Sequence, residues 1–449
     1  MDGSGVAPAF AAGALAAVAG MTLAHSCIVD SSTGGAGSGD GSSRSGSGGG
    51  GGSRSGGGSR AGRALERRYT GDGLLESGGA GAGIGSADVA GVDASHFIGA
   101  ATKAQRQKLR VTVLGGGNFG TAMAYAASRN GHEVTLWMRD TAQARYFNET
   151  QRNPKYLSEF SLPKNVRATT DLVEAMAGVQ LIIHALPCQK TPEWLAEHKD
   201  SIPCDVLICS TVKGLYLPTK QLIGHAMCEA LGRDQPLAYL SGPSFSIEIM
   251  KDYPTSVVVA SRELFHATLV QRVLSNMAMR VYTSQDVVGV QLGGALKNPL
   301  AVGAGMIAGL GFGTNTLSAA VTRSTAELTA LCVAMGGKPE TISGLAGVGD
   351  LMLTAFSAES RNQRCGQRLV KGEKIEEILK DMTVEGVATA PVAVAFADLC
   401  GLELPLFRCV DDLISARIEP KQAMARLMGR KLRQEGQDEM WRKGDSSAT

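Results

Sequence analysis

The sequence predicts an α/β protein, in which a doubly wound parallel sheet is followed by an all-helical C-terminal domain. Short apolar runs rich in β-branched residues alternate with helical segments between residues 109 and 260. From Val287 to about Arg433, long apolar stretches continue with little strand character. A chain of 449 residues with 44% hydrophobic content is long enough to bury two ordinary cores.

Composition divides the chain into four predicted parts. Residues 31–60 are almost wholly Gly and Ser, which cannot bury enough apolar surface to fold. Scarce acids together with many Ser and Arg are typical of a transit peptide, so we expect residues 1–105 to be a disordered targeting leader. A cytoplasmic protein with an inert N-terminal tail is the alternative. The other predicted parts are a dinucleotide-binding domain (106–286), a helical substrate domain (287–433) and a flexible tail (434–449).

Charge and cysteine usage argue against several partners. Lys plus Arg (44) nearly cancels Asp plus Glu (42), so no global field favours nucleic acid, and any anion must be held locally. The apolar stretch from Val6 to Ala24 is mostly Ala and Gly and lacks a positively charged start, so we expect no stable membrane insertion. The nine cysteines show no CxxC pair and no metal-ligand spacing, so we expect reduced thiols and no metal.

A strand, a GxGxxG turn and a helix follow in order from Leu109. Gly115 permits the tight turn, Gly117 lets the backbone approach a pyrophosphate, and Gly120 lets the helix pack on the strand. A second strand-like run, EVTLW, follows about twenty residues on. This arrangement predicts a Rossmann-type site for NAD or NADP.

Arg139 stands at the end of that second strand, where NAD enzymes often place an acid for the ribose 2'-hydroxyl. An arginine there can stack on adenine or bind a 2'-phosphate, which slightly favours NADP. A solvated surface arginine is the alternative.

Polar loops follow two of the later predicted strands. Lys213 comes after one strand and the segment SGPSF after another, so both are expected at the carboxyl edge of the sheet. Lys213 is then placed to meet an anionic substrate or the nicotinamide, although an ordinary loop lysine is the alternative. His184 lies inside an apolar run and is expected to be a packed core residue. The further predicted strands are Leu181–Leu186, Val206–Ser210, Leu237–Leu240 and Ser256–Ala260.

The helical half carries a lysine among small and apolar residues. Lys297 follows GGAL, and desolvation would lower its pKa into a range useful for proton transfer. A lysine with a solvated head is the alternative. Asp350, in GVGDL, could hold the ammonium, and Arg361, in SRN, offers forked donors for a phosphate.

Taken in order, GGGNFGTAMA, KG, GPSF, GALKN, GLGFGTN, GVGDL and SRN resemble the NAD(P)-dependent glycerol-3-phosphate dehydrogenase family from about Leu109 to Leu427. The GGG turn and the segment VEGVATA resemble the plastid enzymes of plants and algae, which together with the leader predicts a plastid location. The resemblance implies reversible hydride transfer between NAD(P)H and dihydroxyacetone phosphate, giving sn-glycerol 3-phosphate for glycerolipid synthesis.

The resemblance also implies a role for each matching residue. Lys297 would be the general acid/base and Lys213 would orient the substrate, with Asp350 and Thr354 supporting the reacting oxygens. The implied substrate-binding residues are Lys213, Gly242, Ser244, Asn298, Ser360, Arg361 and Asn362. The implied cofactor-binding residues are Gly115, Gly117, Asn118, Phe119, Gly120, Arg139, Lys213, Ser246, Arg361 and Glu385.

The sequence departs from the family pattern at three positions. Pro299 stands where an aliphatic residue is common, so we expect the helix to kink or begin anew beside the catalytic lysine. Ser246 and Ser324 stand where alanine and glycine are usual, and both are small enough to be tolerated.

Two other functions and one assembly state remain open at this point. A β-hydroxyacid dehydrogenase shares the architecture but acts on carboxylates, and the SRN segment argues against it. A non-catalytic NAD(P)-sensing module would have no use for the retained Lys213, Lys297 and Asp350. A homodimer is expected because the helical half is rich in apolar residues.

Overall fold

The strands of the sheet alternate with helices along the first half of the chain, as the apolar runs predict. The computed structural model describes residues 108–432 and 434–435, so the expected leader and most of the expected tail lie outside the described residues. The strands are β1 (Arg110–Leu114), β2 (Glu133–Trp137), β3 (Val166–Thr169), β4 (Leu181–His184), β5 (Leu207–Ser210), β6 (Leu215–Tyr216), β7 (Gln221–Leu222), β8 (Leu237–Ser241), β9 (Thr255–Ala260) and β10 (Met279–Ser284).

Helices lie between these strands and then make up the second half. Those of the first half are α1 (Asn118–Arg129), α2 (Thr141–Thr150), α3 (Leu172–Met176), α4 (Thr191–His198), α5 (Ile223–Leu231), α6 (Ser246–Met250) and α7 (Leu264–Leu274). Those of the second half are α8 (Val287–Gly309), α9 (Thr314–Ala334), α10 (Pro339–Ser343), α11 (Asp350–Phe356), α12 (Arg361–Val370), α13 (Ile375–Asp381), α14 (Glu385–Leu399), α15 (Pro405–Ile414) and α16 (Pro420–Met428). Short 3₁₀ turns (Cys188–Lys190 and Lys199–Ser201) flank α4.

Within the described residues, eight strands form one sheet in the order β10-β9-β8-β5-β4-β1-β2-β3. The predicted doubly wound sheet is confirmed, and all of its neighbouring strands are parallel except β8 and β9. The expectation of a wholly parallel sheet is therefore wrong at this pair. The connection between the two strands contains only the short α6, and it reverses the chain instead of crossing over the sheet.

Two strands of this sheet escaped the sequence prediction. β3 contains a single large apolar residue, Val166, followed by the exposed Arg167, so it lacks the apolar run that marks the other short strands. In β10, buried Met279 and Val281 alternate with exposed Arg280 and Tyr282, because the strand lies at the edge of the sheet.

The two faces of the sheet are covered by separate apolar clusters. Val111 and Val113 of β1 pack into one cluster, whereas Leu114 and its neighbour Ile182 on β4 pack into another. Successive side chains of a strand point to opposite faces, so both faces must be buried. His184 at the end of β4 is fully buried as predicted, and burial lowers its pKa to about 4.

Helix α8 is the axis of the helical half. It continues through Pro299, so the expectation that it begins anew there is wrong. Proline removes the backbone donor for the Ala295 carbonyl, yet every residue from Gly289 to Val302 is buried, so packing on all sides compensates. A Cβ at Gly305 would lie 1.9 Å from the Gln363 carbonyl oxygen, which shows how closely α8 approaches α12.

The described residues include long helices as well as cysteines that could have formed disulfides. None of the helices described there combines the length and the apolar character that a membrane span requires. The eight cysteines described are all free thiols, and five of them are buried, namely Cys188, Cys209, Cys332, Cys365 and Cys409.

Candidate active site

Lys297, on α8, faces the first turn of α11. Its Nζ atom donates to Asp350 Oδ1 at 2.7 Å and to Thr354 Oγ1 at 2.5 Å. The Thr354 hydroxyl donates in turn to the Asp350 carbonyl oxygen at 2.6 Å. Asp350 is 0% exposed and Lys297 only 6%, so this lysine is a buried, paired ammonium and not a surface lysine with a solvated head.

Lys213 reaches the same carboxylate from the loop after β5. Its Nζ lies 2.9 Å from Asp350 Oδ2 and donates to the Gly242 carbonyl oxygen at 2.6 Å and to Ser244 Oγ at 3.1 Å. The side chain of Lys213 keeps 19% of its surface exposed, whereas that of Asp350 has none. The structure thus joins the carboxyl ends of β5 and β8 to the helical half through two ammonium groups on one carboxylate.

Glycines let these elements come close enough for the contacts to form. A Cβ at Gly293 would lie 2.6 Å from the Ala346 carbonyl oxygen, and one at Gly294 would lie 2.6 Å from Ser241 Oγ. The segment Leu345–Gly349 forms a π-helical turn that leads directly into Asp350. Single π turns are frequent at functional sites, and this one brings the start of α11 against α8.

The pKa of Lys297 is set by burial and by two neighbouring charges. Desolvation disfavours the ammonium form and, with the positive charge of Lys213, outweighs the attraction of Asp350, so the pKa of Lys297 falls to about 8. A lysine in this range can both donate and accept a proton near neutral pH.

A chain of hydrogen bonds joins the backbone of Lys213 to that of Gly386 through the side chains of Asn298 and Asn362, and we call it the asparagine relay. Asn298 Nδ2 donates to the Lys213 carbonyl oxygen at 3.3 Å, and Asn362 Nδ2 donates to Asn298 Oδ1 at 3.0 Å. The Gly386 backbone N–H then donates to Asn362 Oδ1 at 2.9 Å. Each side-chain member of the relay directly follows a predicted site residue, since Asn298 follows Lys297 and Asn362 follows Arg361.

Ser360 and Arg361 lie at the start of α12. The Ser360 hydroxyl caps the helix by accepting from the Gln363 backbone N–H at 3.2 Å. Arg361 is the first helical residue and is exposed, with no hydrogen bond or ion pair of its side chain among the described contacts. Its forked donors are therefore available to an anion at the helix N-terminus.

Glu385 begins α14 beside the Lys213 loop. A Cβ at Gly214 would lie 3.6 Å from Glu385 Oε2, so the carboxyl group lies against this loop. Burial raises the pKa of Glu385, and the positive charge of Arg361 partly opposes that rise. The carboxylate is thus close enough to the lysine loop to influence a ligand bound there.

The GxGxxG turn lies at the carboxyl end of β1, at the same sheet edge as the loops after β5 and β8. Gly115 adopts φ +112, and a Cβ there would lie 2.8 Å from the Ala185 carbonyl oxygen. A Cβ at Gly120 would lie 1.8 Å from the Gly115 carbonyl oxygen, so the helix packs directly on the turn. Both positions exclude larger residues for the predicted reasons.

The start of α1 fits a dinucleotide. Nothing lies within 4 Å of a Cβ placed at Gly117, and no side chain caps the N-terminus of the helix. Asn118 is exposed there, while Phe119 is half-buried against the main core. Free backbone N–H groups beside open space are what a pyrophosphate requires.

Arg139 and Ser246 occupy the remaining predicted cofactor positions. Arg139 is exposed just after β2, and its neighbour Asp140 caps α2 by accepting from the backbone N–H groups of Ala142 and Gln143. Because the Asp140 carboxylate caps the helix, Arg139 is the charged side chain that remains available to a ligand at the end of β2. Ser246 is the half-buried first residue of α6, and no contact of its side chain is described.

Sequence reasoning missed Gly386 and Ser241. The Gly386 backbone N–H ends the asparagine relay, and a Cβ there would lie 2.5 Å from the Asn298 carbonyl oxygen. Ser241 is buried against Gly294 at the end of β8. A glycine immediately after the acidic first residue of a helix was the one available signal for Gly386, whereas the segment SGPSF had already indicated the position of Ser241 at the sheet edge but not its role.

The chain is similar to known proteins of one family. Models of the NAD-dependent glycerol-3-phosphate dehydrogenase N-terminus and C-terminus match residues 110–267 and 286–425. A chloroplastic glycerol-3-phosphate dehydrogenase (NAD(+)) of Oryza sativa subsp. japonica is 41% identical over 324 residues, 71% of this chain and 74% of that protein. A glycerol-3-phosphate dehydrogenase (NAD(P)+) of Desulfovibrio desulfuricans is 40% identical over 73% of this chain and 99% of that protein.

A solved structure gives the same result. The crystal structure of glycerol-3-phosphate dehydrogenase from Coxiella burnetii has a TM-score of 0.67 and 32% identity, and the match covers 72% of this chain and 99% of that one.

Two glycine substitutions should separate dinucleotide binding from folding. Gly117→Ala places a methyl group in open space, so we expect the free energy of unfolding to change by less than about 0.5 kcal/mol while dinucleotide affinity falls roughly tenfold. Gly120→Ala meets a backbone oxygen and should cost about 3 kcal/mol of stability. Urea unfolding and dinucleotide titration measure the two effects. Unchanged affinity in Gly117→Ala would place the pyrophosphate elsewhere.

Proposed function

The chain belongs to the NAD-dependent glycerol-3-phosphate dehydrogenase family, and from this membership we propose how its own residues carry out the reaction. The protein is an NAD(P)-dependent glycerol-3-phosphate dehydrogenase, which interconverts sn-glycerol 3-phosphate and dihydroxyacetone phosphate. The observation that most supports the residue roles is the buried Asp350 carboxylate held between Lys213 and Lys297. The hydroxyacid dehydrogenase and sensor alternatives are not retained.

Lys297 is the general acid and base. The bound nicotinamide supplies the hydride for C2 of the substrate in reduction and accepts it in oxidation. During reduction the Lys297 ammonium gives its proton to the C2 oxygen, and during oxidation the neutral amine takes the hydroxyl proton. Asp350 and Thr354 hold Nζ in place, so the proton is transferred at a fixed position.

Lys213 orients the reacting oxygen and stabilises the negative charge that develops on it. Its ammonium is held by Asp350, Gly242 and Ser244 while part of its surface stays exposed to an incoming ligand. The asparagine relay fixes the backbone behind it, so Asn298 and Asn362 act as positioning residues in addition to their implied contacts with substrate.

Arg361 anchors the substrate phosphate at the N-terminus of α12. Its exposed guanidinium and the partial positive charge of the helix start both favour a dianion. On the cofactor side, the turn from Gly115 to Gly120, with Asn118 and Phe119, would hold the pyrophosphate. Glu385 would lie near the nicotinamide, and Ser246 would be a further cofactor contact. These residues divide into a dinucleotide-binding domain (106–286) and a catalytic domain (287–433), and this boundary follows the end of β10.

Replacing the proposed acid/base tests the mechanism directly. Lys297→Ala should lower kcat by about 10²- to 10⁴-fold while the Kd for the dinucleotide is unchanged. Lys380→Ala, at an exposed surface lysine paired with Glu377, is the matched control and should keep full activity. Near-normal turnover by Lys297→Ala would refute the assignment.

The pH dependence of the wild-type enzyme provides a second test of the same residue. Because the pKa of Lys297 is about 8, kcat for reduction should fall as the pH rises through 8, whereas kcat for oxidation should rise. Parallel pH profiles in the two directions would contradict a single shared acid/base.

The phosphate anchor can be tested by substrate discrimination. Arg361→Ala should lower kcat/KM for dihydroxyacetone phosphate by roughly 10²-fold or more, since a charge-assisted contact is lost, and leave the slow reduction of dihydroxyacetone unchanged. Arg364→Ala, one turn further along the same helix, is the control. If wild type and Arg361→Ala discriminate equally between the two substrates, the phosphate is held elsewhere.

Cofactor choice should depend on Arg139. We expect a modest preference for NADPH over NADH, because the guanidinium is exposed at the strand end and Asp140 is engaged in capping. Arg139→Ala should raise KM for NADPH several-fold more than KM for NADH. An equal effect on both would indicate adenine stacking without 2'-phosphate recognition.

Plastid import is supported by the composition of the leader and by chloroplastic relatives. Residues 1–105 fused to a fluorescent protein should carry it into plastids of a plant or algal cell, and changing the six leader arginines to glutamate should leave it in the cytoplasm. Cytoplasmic fluorescence from the unaltered fusion would favour the inert-tail alternative.

A homodimer is also proposed. Phe312, Met352 and Phe356 of the helical half are all large apolar side chains that remain exposed in the single chain. Sedimentation equilibrium should give a mass twice that of one chain, and the mass of a single chain would refute the proposal.

A further inference from the structure

The helical half carries an apolar concave surface away from Lys297 and Asp350, and we call it the C-terminal groove. It has a volume of about 1010 Å³ and lies between α8, α9, α15 and α16. Its walls are mainly apolar and include Leu300, Ile307, Ala319, Val410, Leu413 and Leu427.

The groove is open where the described chain ends. Met428 and Leu432 line it and are 76% and 99% exposed. Large apolar side chains that are exposed together in one concavity indicate a surface that another apolar group covers.

The chain itself leads out of this groove. Gln434 and Glu435 are the last described residues, and both line it. Residues 436–449 follow, and the adjacent pair Met440 and Trp441 are the only large apolar residues in their sequence. Trp441 is six positions beyond Glu435, and six extended residues span roughly 20 Å, so the pair is within reach of the groove walls.

We propose that Met440 and Trp441 of the same chain occupy the C-terminal groove. A tryptophan and a methionine suit an irregular apolar cavity, because one supplies a large rigid surface and the other adapts to gaps. Two acids precede the pair and two bases follow it, namely Asp438, Glu439, Arg442 and Lys443. This flanking pattern lets the pair insert while the charged heads stay in water at the rim.

The short tether favours this occupant over a second copy of the chain. A segment joined directly to the groove has a millimolar effective concentration at any protein dilution, whereas a second copy must be recruited from solution. The rim carries both signs of charge, with an ion pair between Arg430 and Glu403 at 2.7 Å and with Lys431 and Glu435 nearby, so it repels neither sign of the mixed charges around the pair.

Trp441 fluorescence in the full chain tests the proposal. The chain has three tryptophans, so the emission of wild type minus that of Trp441→Ala isolates Trp441. We expect a blue-shifted difference spectrum that is poorly quenched by acrylamide and does not change on dilution. A solvent-like, fully quenched difference spectrum would overturn the proposal.

A groove variant with a matched control identifies the binding surface and excludes a second copy. Ala319→Glu places a charge on the exposed α9 wall of the groove, whereas Ser318→Glu places it on the neighbouring exposed position outside the groove. We expect Ala319→Glu to shift Trp441 emission to the red and Ser318→Glu to leave it blue, with sedimentation coefficients equal to wild type. No shift in Ala319→Glu, or a shift accompanied by halved mass, would overturn the proposal.

Discussion

The arrangement of the active site depends on one fully buried carboxylate. Asp350 has no exposed surface, and a carboxylate removed from water is tolerated only when it is paired. Two ammonium groups balance its charge, one from the loop after β5 and one from α8, so a single side chain joins the sheet to the helices. Lys297 nevertheless titrates near neutral pH, because burial and the positive charge of Lys213 lower its pKa by more than the attraction of Asp350 raises it.

Close backbone contacts make that pairing geometrically possible. Helix α8 is small-residue rich on the sides that face the π turn and α12, where any side chain would collide with a carbonyl oxygen. Its buried central turns carry Lys297, and its C-terminal turns form a wall of the C-terminal groove. One rigid element therefore connects the proton-transfer site to the place where we expect the end of the chain to bind.

Short-range features of the fold could be predicted from sequence, and long-range ones could not. The glycine turn is specified within six residues, because Gly115 and Gly120 meet each other directly, and its role was therefore readable from the sequence alone. The 53-residue separation between Lys297 and Asp350 carries no local signal, so their pairing was suggested only by the opposite charges of the two residues and by the resemblance to a family. The antiparallel β9 and the relay through Gly386 depend on tertiary contacts, so no periodicity could reveal them.

The asparagine relay has a consequence for redesign of the enzyme toward other polyols. The Arg361 side chain makes no described hydrogen bond or ion pair and acts on Glu385 only through its charge, so it can be exchanged to suit a new head group without breaking a contact that holds the site together. Asn362 uses both ends of its amide, and one of its partners is a backbone N–H that no substitution can replace. The residue that selects the substrate, Arg361, and the residue that holds the site together, Asn362, are thus neighbours in the chain. Libraries that randomise both positions together would mostly contain variants in which the asparagine relay no longer forms.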